Sequence, residues 1–189
     1  RNIDAWWPAI AAGKVEAIVI TASGCGVQVK DYGHLLKNDP AYAVKAARVA
    51  ELARDVAEVL FAEMEPLKAL LAKGRAGRTP RRIAFHAPCS LQHGQKIRGV
   101  VESLLAAAGF DLTAVRDAHL CCGSAGTYSL LQPVLAGRLR DDKLAALEAG
   151  GGECIVSANV GCIEHLSAGA ILPIRHWIEV IDENVTKSA

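Results

Sequence analysis

The sequence has no excess of charge of either sign. Its 189 residues include 21 Lys and Arg and 20 Asp and Glu, for a net charge of +1. Proteins that bind nucleic acid show a basic excess and basic patches, so this balance argues against a nucleic-acid partner. Hydrophobic residues make up 51% of the chain and charged residues 22%, which is typical of an ordinary soluble globular protein.

Long hydrophobic runs and targeting features are also missing. No apolar run approaches the ~20 residues that a membrane-spanning helix needs, since even the stretch 67–72 contains Lys68 and is followed by Lys73. The first four residues contain neither an initiator Met nor a secretory pattern. This beginning indicates a fragment of a longer chain.

The chemistry of the chain is expected to lie in its six cysteines. There is no Ser-His-Asp set, phosphate-binding loop or carboxylate pair that would indicate independent catalysis. The chain lacks the loop-rich composition of a disulfide-stapled scaffold, and two of its cysteines are adjacent, which favours metal ligands over structural bridges. A metal or redox role in a reducing compartment, the cytoplasm, is therefore expected. The cysteines are Cys25, Cys89, Cys121, Cys122, Cys154 and Cys162.

The sequence repeats itself at an offset of 137 residues, the spacing from Cys25 to Cys162. Residues 1–25 align without gaps to residues 138–162, and both copies are predicted to form a helix, a glycine stop, a short apolar strand and a Gly-Cys turn. A long-period repeat indicates duplicated structural units. Because the first copy has no upstream half, we expect the chain to begin partway through its first module.

The later part of the sequence alternates between strand and helix patterns. Such alternation predicts an α/β fold with a parallel sheet flanked by helices. The predicted strands are 82–86, 112–115, 154–158 and 171–174, and the predicted helices are 96–108, 133–149 and 176–184.

The segment before these strands contains a predicted long helix. Asp39 and Pro40 supply a helix start, and apolar residues recur at helical spacing from Val49 to Met64. Pro66 is expected to kink or break this helix. The predicted organisation is the end of a first module at 1–38, a helical linker at 39–80 and a second module at 81–189.

Four of the cysteines lie just past the carboxyl ends of predicted strands. In a parallel sheet those ends share one edge, where α/β folds bind ligands. Three loops are thus expected to bring four thiols to one place. These cysteines are Cys89, Cys121, Cys122 and Cys162.

Four thiolates suit either a structural zinc ion or an iron–sulfur cluster. A structural zinc site takes two ligands from each of two short knuckles, whereas this chain offers one close pair, Cys121 and Cys122. Two adjacent thiolates reach different irons of a cluster more easily than one zinc ion, which favours the cluster. Glycines near these cysteines would let backbone N–H groups approach the sulfurs; they are Gly123, Gly126 and Gly161.

The motifs around these cysteines resemble those of the cysteine-rich CCG domain family. The motifs are His86-Ala87-Pro88-Cys89, Cys121-Cys122-Gly123-Ser124-Ala125-Gly126 and Asn159-Val160-Gly161-Cys162. The resemblance covers about 81–184 and the tail of a first module. Together with the segments Trp6-Trp7-Pro8 and 23–33, the whole chain is most similar to the iron–sulfur subunits of glycolate oxidases (glycolate dehydrogenases).

This resemblance implies an electron-relay subunit of an oxidoreductase complex. FAD on a partner dehydrogenase subunit would oxidise glycolate, or another 2-hydroxy acid, while this chain passes electrons through an iron–sulfur cluster towards a quinone or another acceptor. It further implies a missing N-terminal ferredoxin-like part of the parent chain. A contact with the inner face of the membrane is the accompanying expectation for localisation.

The sequence departs from the family pattern where many CCG domains have a final Cys-x-x-Cys. His165 stands in that position here, and Gln28 in the equivalent position after Cys25. Four cysteines still suffice for a [4Fe–4S] cluster, with His165 as a fifth ligand or as a hydrogen-bond donor to a sulfur. Cys25 is assigned to the corresponding site of the first module.

The sequence leaves two alternative functions open. A heterodisulfide reductase-like thiol–disulfide enzyme is one alternative, and a zinc-stabilised assembly module is another.

Cys154 lies within an apolar strand and is expected to pack as a small hydrophobic residue. His86 and His119 flank ligand positions. Either could donate a hydrogen bond to a cluster sulfur, but each is expected to be a satisfied, hydrogen-bonded histidine at a strand end.

Overall fold

The computed structural model describes residues 1–75 and 79–186, and within them two parallel sheets carry the helices. The strands are β1 (Ile18–Ile20), β2 (Ala53–Asp55), β3 (Arg82–His86), β4 (Asp111–Leu112), β5 (Cys154–Ser157) and β6 (Ile174–His176). The helices are α1 (Asn2–Ala11), α2 (Ser23–Lys30), α3 (Tyr32–Leu35), α4 (Ala43–Leu52), α5 (Val56–Ala62), α6 (Met64–Arg75), α7 (Val100–Ala107), α8 (Tyr128–Leu131), α9 (Pro133–Glu148), α10 (Val160–Ser167) and α11 (Trp177–Thr186). Among these helices, none is both long enough and apolar enough to cross a bilayer.

The larger sheet has four parallel strands in the order β4-β3-β5-β6. This confirms the predicted α/β class with a parallel sheet flanked by helices. The chain moves outward from β3 to β4 and then returns to the other side of β3 with β5. Ligands of doubly wound sheets bind beyond the carboxyl ends of the strands at such a reversal point. The pair at that end is His86 of β3 and its register partner Ser157 of β5.

The two faces of this sheet bury different sets of side chains, because alternate residues of a strand point to opposite faces. Ile83 and Phe85 pack with Cys154 and with apolar residues of α7 and α11. Ala84 and Ile155 pack on the other side with residues of α9 and α10, together with Cys122 and Cys162. Each large aliphatic side chain buried in these cores stabilises the fold by about 1.5–3 kcal/mol. Cys154 therefore belongs to a different layer from the two other buried cysteines.

The smaller sheet pairs β1 with β2 and is covered by α1, α2 and α4. Its elements follow the sequence repeat, since α2 and α10 have the same length and start 137 residues apart, at Ser23 and Val160. Strand β2 then pairs with β1 in parallel, as β6 does with β5. This order is compatible with a duplicated module, which remains a prediction.

The predicted long helix between Val49 and Met64 is wrong. Helix α4 ends at Leu52, strand β2 follows, and α5 begins at Val56. Backbone pairing with β1 outweighs the helical spacing of the apolar residues, and Asp55 then starts α5 by accepting a hydrogen bond from the N–H of Ala57. The predicted linker 39–80 thus contains a strand, and its residues 76–78 lie outside the described ranges.

The predicted helix start at Asp39 is also shifted. Its carboxylate accepts hydrogen bonds from the N–H groups of Ala41 and Tyr42, but the helix itself begins at Ala43. The predicted break near Pro66 falls at Glu63, between α5 and α6. Pro66 lies in the first turn of α6, where its missing N–H removes no helical hydrogen bond.

Other element bounds differ from the predictions by a few residues. The helix predicted at 96–108 begins at Val100, after a π-helical turn at Ser90–Gly94. The strand predicted at 112–115 is only Asp111–Leu112, and the strand predicted at 171–174 is Ile174–His176, with Ile171 88% exposed. Pro173 precedes that strand because proline has no N–H to give to the sheet. Both predicted Gly-Cys turns lie instead in the first turns of helices, α2 and α10.

Candidate metal centre

Four cysteines meet at the carboxyl end of the larger sheet. Cys89 directly precedes the π-helical turn that follows β3, and Cys162 lies in the first turn of α10, which follows β5. Cys121 and Cys122 lie in the long loop between β4 and α8. The loop and the two strand ends converge because β3 and β5 are neighbours in the sheet. The predicted convergence of these four side chains at one edge is therefore found.

The four thiols form one connected set. Hydrogen bonds link Cys89 with Cys121, Cys121 with Cys122, and Cys122 with Cys162. Cys122 and Cys162 are 1% and 4% exposed, Cys121 is half-buried and Cys89 is exposed. All six cysteines of the chain are free thiols. The set thus extends from the protein interior to the surface.

Crowding changes the acidity of these thiols. Its hydrogen bond to Cys122, together with burial, raises the pKa of Cys121 well above the usual range. The bond to Cys121 lowers the pKa of Cys122, but the bond to Cys162 and burial outweigh it and raise the pKa to about 12. Burial raises the pKa of Cys89, and the hydrogen bond from Cys122 lowers the pKa of Cys162. Four thiolates cannot coexist here without a compensating cation, which is the electrostatic condition of a metal site.

Backbone N–H groups already point at three of the sulfurs. The N–H of Gly123 lies 3.3 Å from the Sγ of Cys121, and the N–H groups of Ser124 and Ser90 donate to Cys122 and Cys89. Such donors favour the charged thiolate. Their placement depends on the loop that follows the adjacent cysteines.

Gly123 shapes this loop in a way that other residues cannot. Its φ is +92°, and a Cβ atom built on it would lie 2.5 Å from the carbonyl oxygen of Ala136 in α9. Left-handed backbone continues at Ala125 and Gly126, with φ values of 39° and 60°. A non-glycine residue in this region stores strain that is common at ligand-binding loops. The loop is therefore held close against α9.

Asn159 joins helix α2, which covers the smaller sheet, to the thiols. Its Nδ2 donates to the Sγ of Cys162 at 3.4 Å, and its Oδ1 accepts from the N–H of Gly24 at 3.2 Å. A Cβ atom at Gly24 would lie 3.1 Å from that oxygen, so the glycine permits the approach. The contact with Gly24 fixes the amide of Asn159 and so directs the donor at the sulfur.

His86 is the functional candidate that sequence analysis undervalued. One of its ring nitrogens and the Sγ atoms of Cys122 and Cys162 lie within 4.8 Å of one another. Its Nδ1 lies 2.9 Å from the Oγ of Ser157, whereas its Nε2 is buried without a hydrogen-bond partner among the described residues. The prediction of a fully hydrogen-bonded histidine is wrong for Nε2. Burial lowers the pKa of His86 to about 3, so the ring is neutral.

A buried lysine lies on the same side of the sheet. Lys143 of α9 is 4% exposed, and its Nζ donates to the carbonyl oxygens of Asp117 and Ala118. Burial lowers its pKa, and the charges of Cys122 and Cys121 oppose that effect. Sequence analysis overlooked this cation. The available signal was its place seven residues after the buried Ala136, on the buried stripe of the helix.

The comparison with known families agrees with this arrangement. The family model of the CCG cysteine-rich domain matches residues 83–167. This segment is a CCG domain. All four clustered cysteines lie within it, and so does His86.

Similar proteins extend the likeness beyond the CCG domain. The glycolate oxidase iron–sulfur subunit of Escherichia coli (strain K12) is 54% identical over 187 residues, which cover 99% of this chain and 44% of that protein. The probable glycolate oxidase iron–sulfur subunit of Bacillus subtilis (strain 168) is 31% identical over 162 residues, covering 85% and 35%. Lactate utilization protein A of Exiguobacterium sp. is 25% identical over 183 residues, covering 92% and 71%. The chain spans less than half the length of the two glycolate oxidase subunits.

Other predicted site residues lie away from the clustered thiols of the CCG domain. Cys25 is exposed in the first turn of α2, and none of the described contacts joins it to the four thiols. Cys154 is buried, as predicted, and it lies on the opposite face of the sheet. The Nε2 of His165 lies 3.2 Å from the carbonyl oxygen of Ala136, so this histidine holds α10 against α9. Gly161 lies next to the side chain of Ser124, which places it against the loop.

A pocket of about 350 Å³ opens beside the CCG domain's half-buried thiol, Cys121. Leu120, Leu139 and Lys143 are among its lining residues. The pocket gives this side of the thiol set access to solvent, while Cys122 and Cys162 stay buried. A centre held here would be close to the surface.

Proposed function

We propose that this chain holds an iron–sulfur cluster and relays electrons within a flavin-dependent glycolate or related 2-hydroxy acid dehydrogenase. The observation that carries the proposal is the connected set of four free thiols at the reversal point of the parallel sheet. An iron–sulfur cluster, when bound, supplies reversible one-electron redox chemistry.

The donor set fits such a cluster. Soft thiolates select iron–sulfur centres or zinc, and here the four sulfurs run from Cys89 at the surface to Cys162 in the interior. We assign Cys89, Cys121, Cys122 and Cys162 as its ligands, which is the number that a [4Fe–4S] cluster requires. Gly123, Gly126 and Gly161 are assigned to the surrounding backbone cradle, and His165 to its support from α10.

The chemistry of the organic substrate is assigned to a partner subunit. Two of the similar proteins are called glycolate oxidase iron–sulfur subunits, and the name of a third refers to lactate utilization. Both acids carry a hydroxyl next to the carboxylate, and their oxidation by hydride transfer is flavin chemistry. We therefore propose FAD on a partner chain and a quinone or another carrier, at the membrane surface or free, as the acceptor.

An apolar surface next to the thiols supports a protein partner. Helix α8 and the start of α9 follow the Cys-Cys-Gly loop and expose several large aliphatic side chains. They are Leu130 (79% exposed), Leu131 (74%), Val134 (68%) and Leu135 (48%), with Leu120 (50%) on the other side of Cys121. Exposed apolar patches mark protein or membrane interaction sites. A redox partner docked here would lie beside the outer thiols.

We further propose that residues 1–38 end a first module, that 39–80 connect it, and that 81–189 form the second. The matching positions of α2 and α10 support this division, although β2 adds part of the connecting segment to the first sheet. Cys25 is assigned to the site of the first module, in the position that Cys162 holds in the second. The rest of that module, with a ferredoxin-like part, is assigned to the parent chain.

Metal analysis of the intact protein, purified anaerobically with its partner subunits, tests the function. We expect iron and acid-labile sulfide, and broad visible absorption that bleaches when glycolate is added. Cys122→Ser should lose the bleaching that comes from this centre while substrate still reduces the flavin. Stoichiometric zinc without iron would contradict the relay and support an assembly module, and reduction of a disulfide substrate by the reduced protein would support the thiol–disulfide enzyme.

A further inference from the structure

We propose that His86 is a fifth protein ligand of the metal centre in the CCG domain, through its Nε2. The proposal rests on the proposed function, because it takes an iron–sulfur cluster to be the occupant. The position that many CCG domains give to a fifth cysteine is held here by His165. The structure turns His165 towards α9 and brings a different histidine to the thiols.

The position of His86 comes directly from the sheet. It is the last residue of β3, and the alternation of that strand puts it on the same face as Ala84, which packs in the core that contains Cys122 and Cys162. Cys89 follows three residues later, after Pro88. His86 and Cys89 thus belong to one strand end and its loop, which limits how far the ring can move relative to that sulfur.

The surroundings of the ring are those of a ligand. A histidine that binds a metal through one nitrogen commonly gives its other N–H to an oxygen atom, which sets the tautomer and orients the ring. Ser157 provides such an oxygen, since its Oγ lies 2.9 Å from Nδ1 in the adjacent, register-paired strand. With the proton on Nδ1, the lone pair of Nε2 is free to bind a metal.

The Nε2 atom has no other role among the described residues. It is buried without a hydrogen-bond partner, in a side chain that is 2% exposed. An unmade buried hydrogen bond destabilises the fold, and the same ring brings one of its nitrogens to within 4.8 Å of two thiols, so Nε2 calls for a binding partner. A ring nitrogen of His86 and the Sγ atoms of Cys122 and Cys162 lie within 4.8 Å of one another. Donor atoms at such distances can bind the same inorganic centre.

By contrast, His165 is already engaged. Its Nε2 lies 3.2 Å from the carbonyl oxygen of Ala136, and its ring is only partly buried. It is one turn along α10 from Cys162 and serves as the matched control, being a histidine in the same domain at a similar distance in sequence from a ligand.

Pulsed EPR on the intact, reduced protein labelled with ¹⁵N-histidine tests the assignment. The signal of this centre is identified as the one that Cys122→Ser removes. We expect a strong ¹⁵N coupling from one imidazole in the wild type and in His165→Gln, and its loss in His86→Gln. Ser157→Ala should keep the coupling but weaken metal retention against a chelator by about 10–100-fold.

Other outcomes separate the failures. A cluster signal with only weak ¹⁵N coupling would mean that His86 donates to a sulfur without binding iron, and would overturn the ligand. Loss of the coupling in His165→Gln would assign the other histidine. Protein without iron would overturn the proposed function and this inference together. If His86→Gln fails to assemble the centre, a strong coupling in the wild type that persists in His165→Gln supports His86, and a wild-type centre with only weak coupling overturns it.

Discussion

Cys122 and Cys154 provide a matched pair for testing the metal centre by substitution. Both are 1% exposed, but they lie on opposite faces of the sheet. Cys122 contacts the thiols of Cys121 and Cys162, whereas Cys154 packs among apolar side chains such as Ile83. Serine replaces the thiol with a hydroxyl of similar shape at both positions, so differences between the variants reflect their surroundings.

The Cys154→Ser variant should lose stability and keep its metal. A hydroxyl buried without a partner costs about 1–3 kcal/mol. Each kcal/mol lowers the Tm of a domain of this size by about 2–4 °C, so we expect a decrease of about 2–12 °C. Iron and sulfide content and the visible spectrum should match those of the wild type.

The Cys122→Ser variant should lose the centre, because a serine hydroxyl is a poor substitute for a soft thiolate ligand. Anaerobic purification followed by iron and sulfide analysis, visible absorption and a thermal melt measures both variants in parallel. Equal loss of iron in the two variants, or a cluster retained in Cys122→Ser and lost in Cys154→Ser, would refute the assignment of ligands. The face of the sheet on which a cysteine lies would then not determine whether that cysteine binds the metal.

Three further predictions concern the loop, the small sheet and pH. Gly123→Ala should reduce metal retention and Tm more than Gly126→Ala does. Both glycines have positive φ, but only a Cβ at Gly123 would clash with backbone, at 2.5 Å from the carbonyl oxygen of Ala136. Equal effects of the two substitutions would show that the clash is unimportant. Asp55→Ala should lower the free energy of unfolding by about 0.5–2 kcal/mol through loss of the helix cap, measured by urea denaturation, and a value near zero would contradict the role of the cap. The raised pKa of Cys122, about 12, keeps this thiol protonated in the metal-free protein at neutral pH, so a metal must displace its proton. Apparent zinc affinity of metal-free protein should therefore rise with pH, by about tenfold per pH unit for each proton released, and a flat profile in a competition titration would count against thiolate binding.

The local sequence pattern predicted a helix or strand correctly where the tertiary contacts of that segment favour the same secondary structure. Strand β3 and helix α9 lie within a residue of their predicted bounds, because the apolar run of one and the proline start and glycine end of the other suit the positions they occupy. The segment 53–55 was missed because its residues continue a helical pattern. Only pairing with β1, about 35 residues earlier in the chain, makes it a strand.

The residues of the candidate site also differ in how far the sequence alone identifies them. The cysteines could be found from sequence, since they follow predicted strands and two of them are adjacent, and the parallel topology then brings the loops together. His86 could have been found from strand alternation, which puts it on the face opposite Ile83 and Phe85. The burial of Lys143 could be inferred from its place on the buried stripe of α9. Its hydrogen-bond partners and those of Asn159 could not, because they depend on which carbonyl oxygens and which sulfur lie beside them.

The sequence by itself determined the α/β class, the four cysteines and the family of the second part of the chain, because these depend on residue type, spacing and period. The tertiary structure decided which polar side chains meet the thiols. His86 faces the sulfurs and His165 faces α9 because strand alternation and helix packing orient the two rings differently. Strand alternation gives only the face of the sheet on which His86 lies, whereas the groups that lie beside each ring are brought there by contacts between segments far apart in the chain.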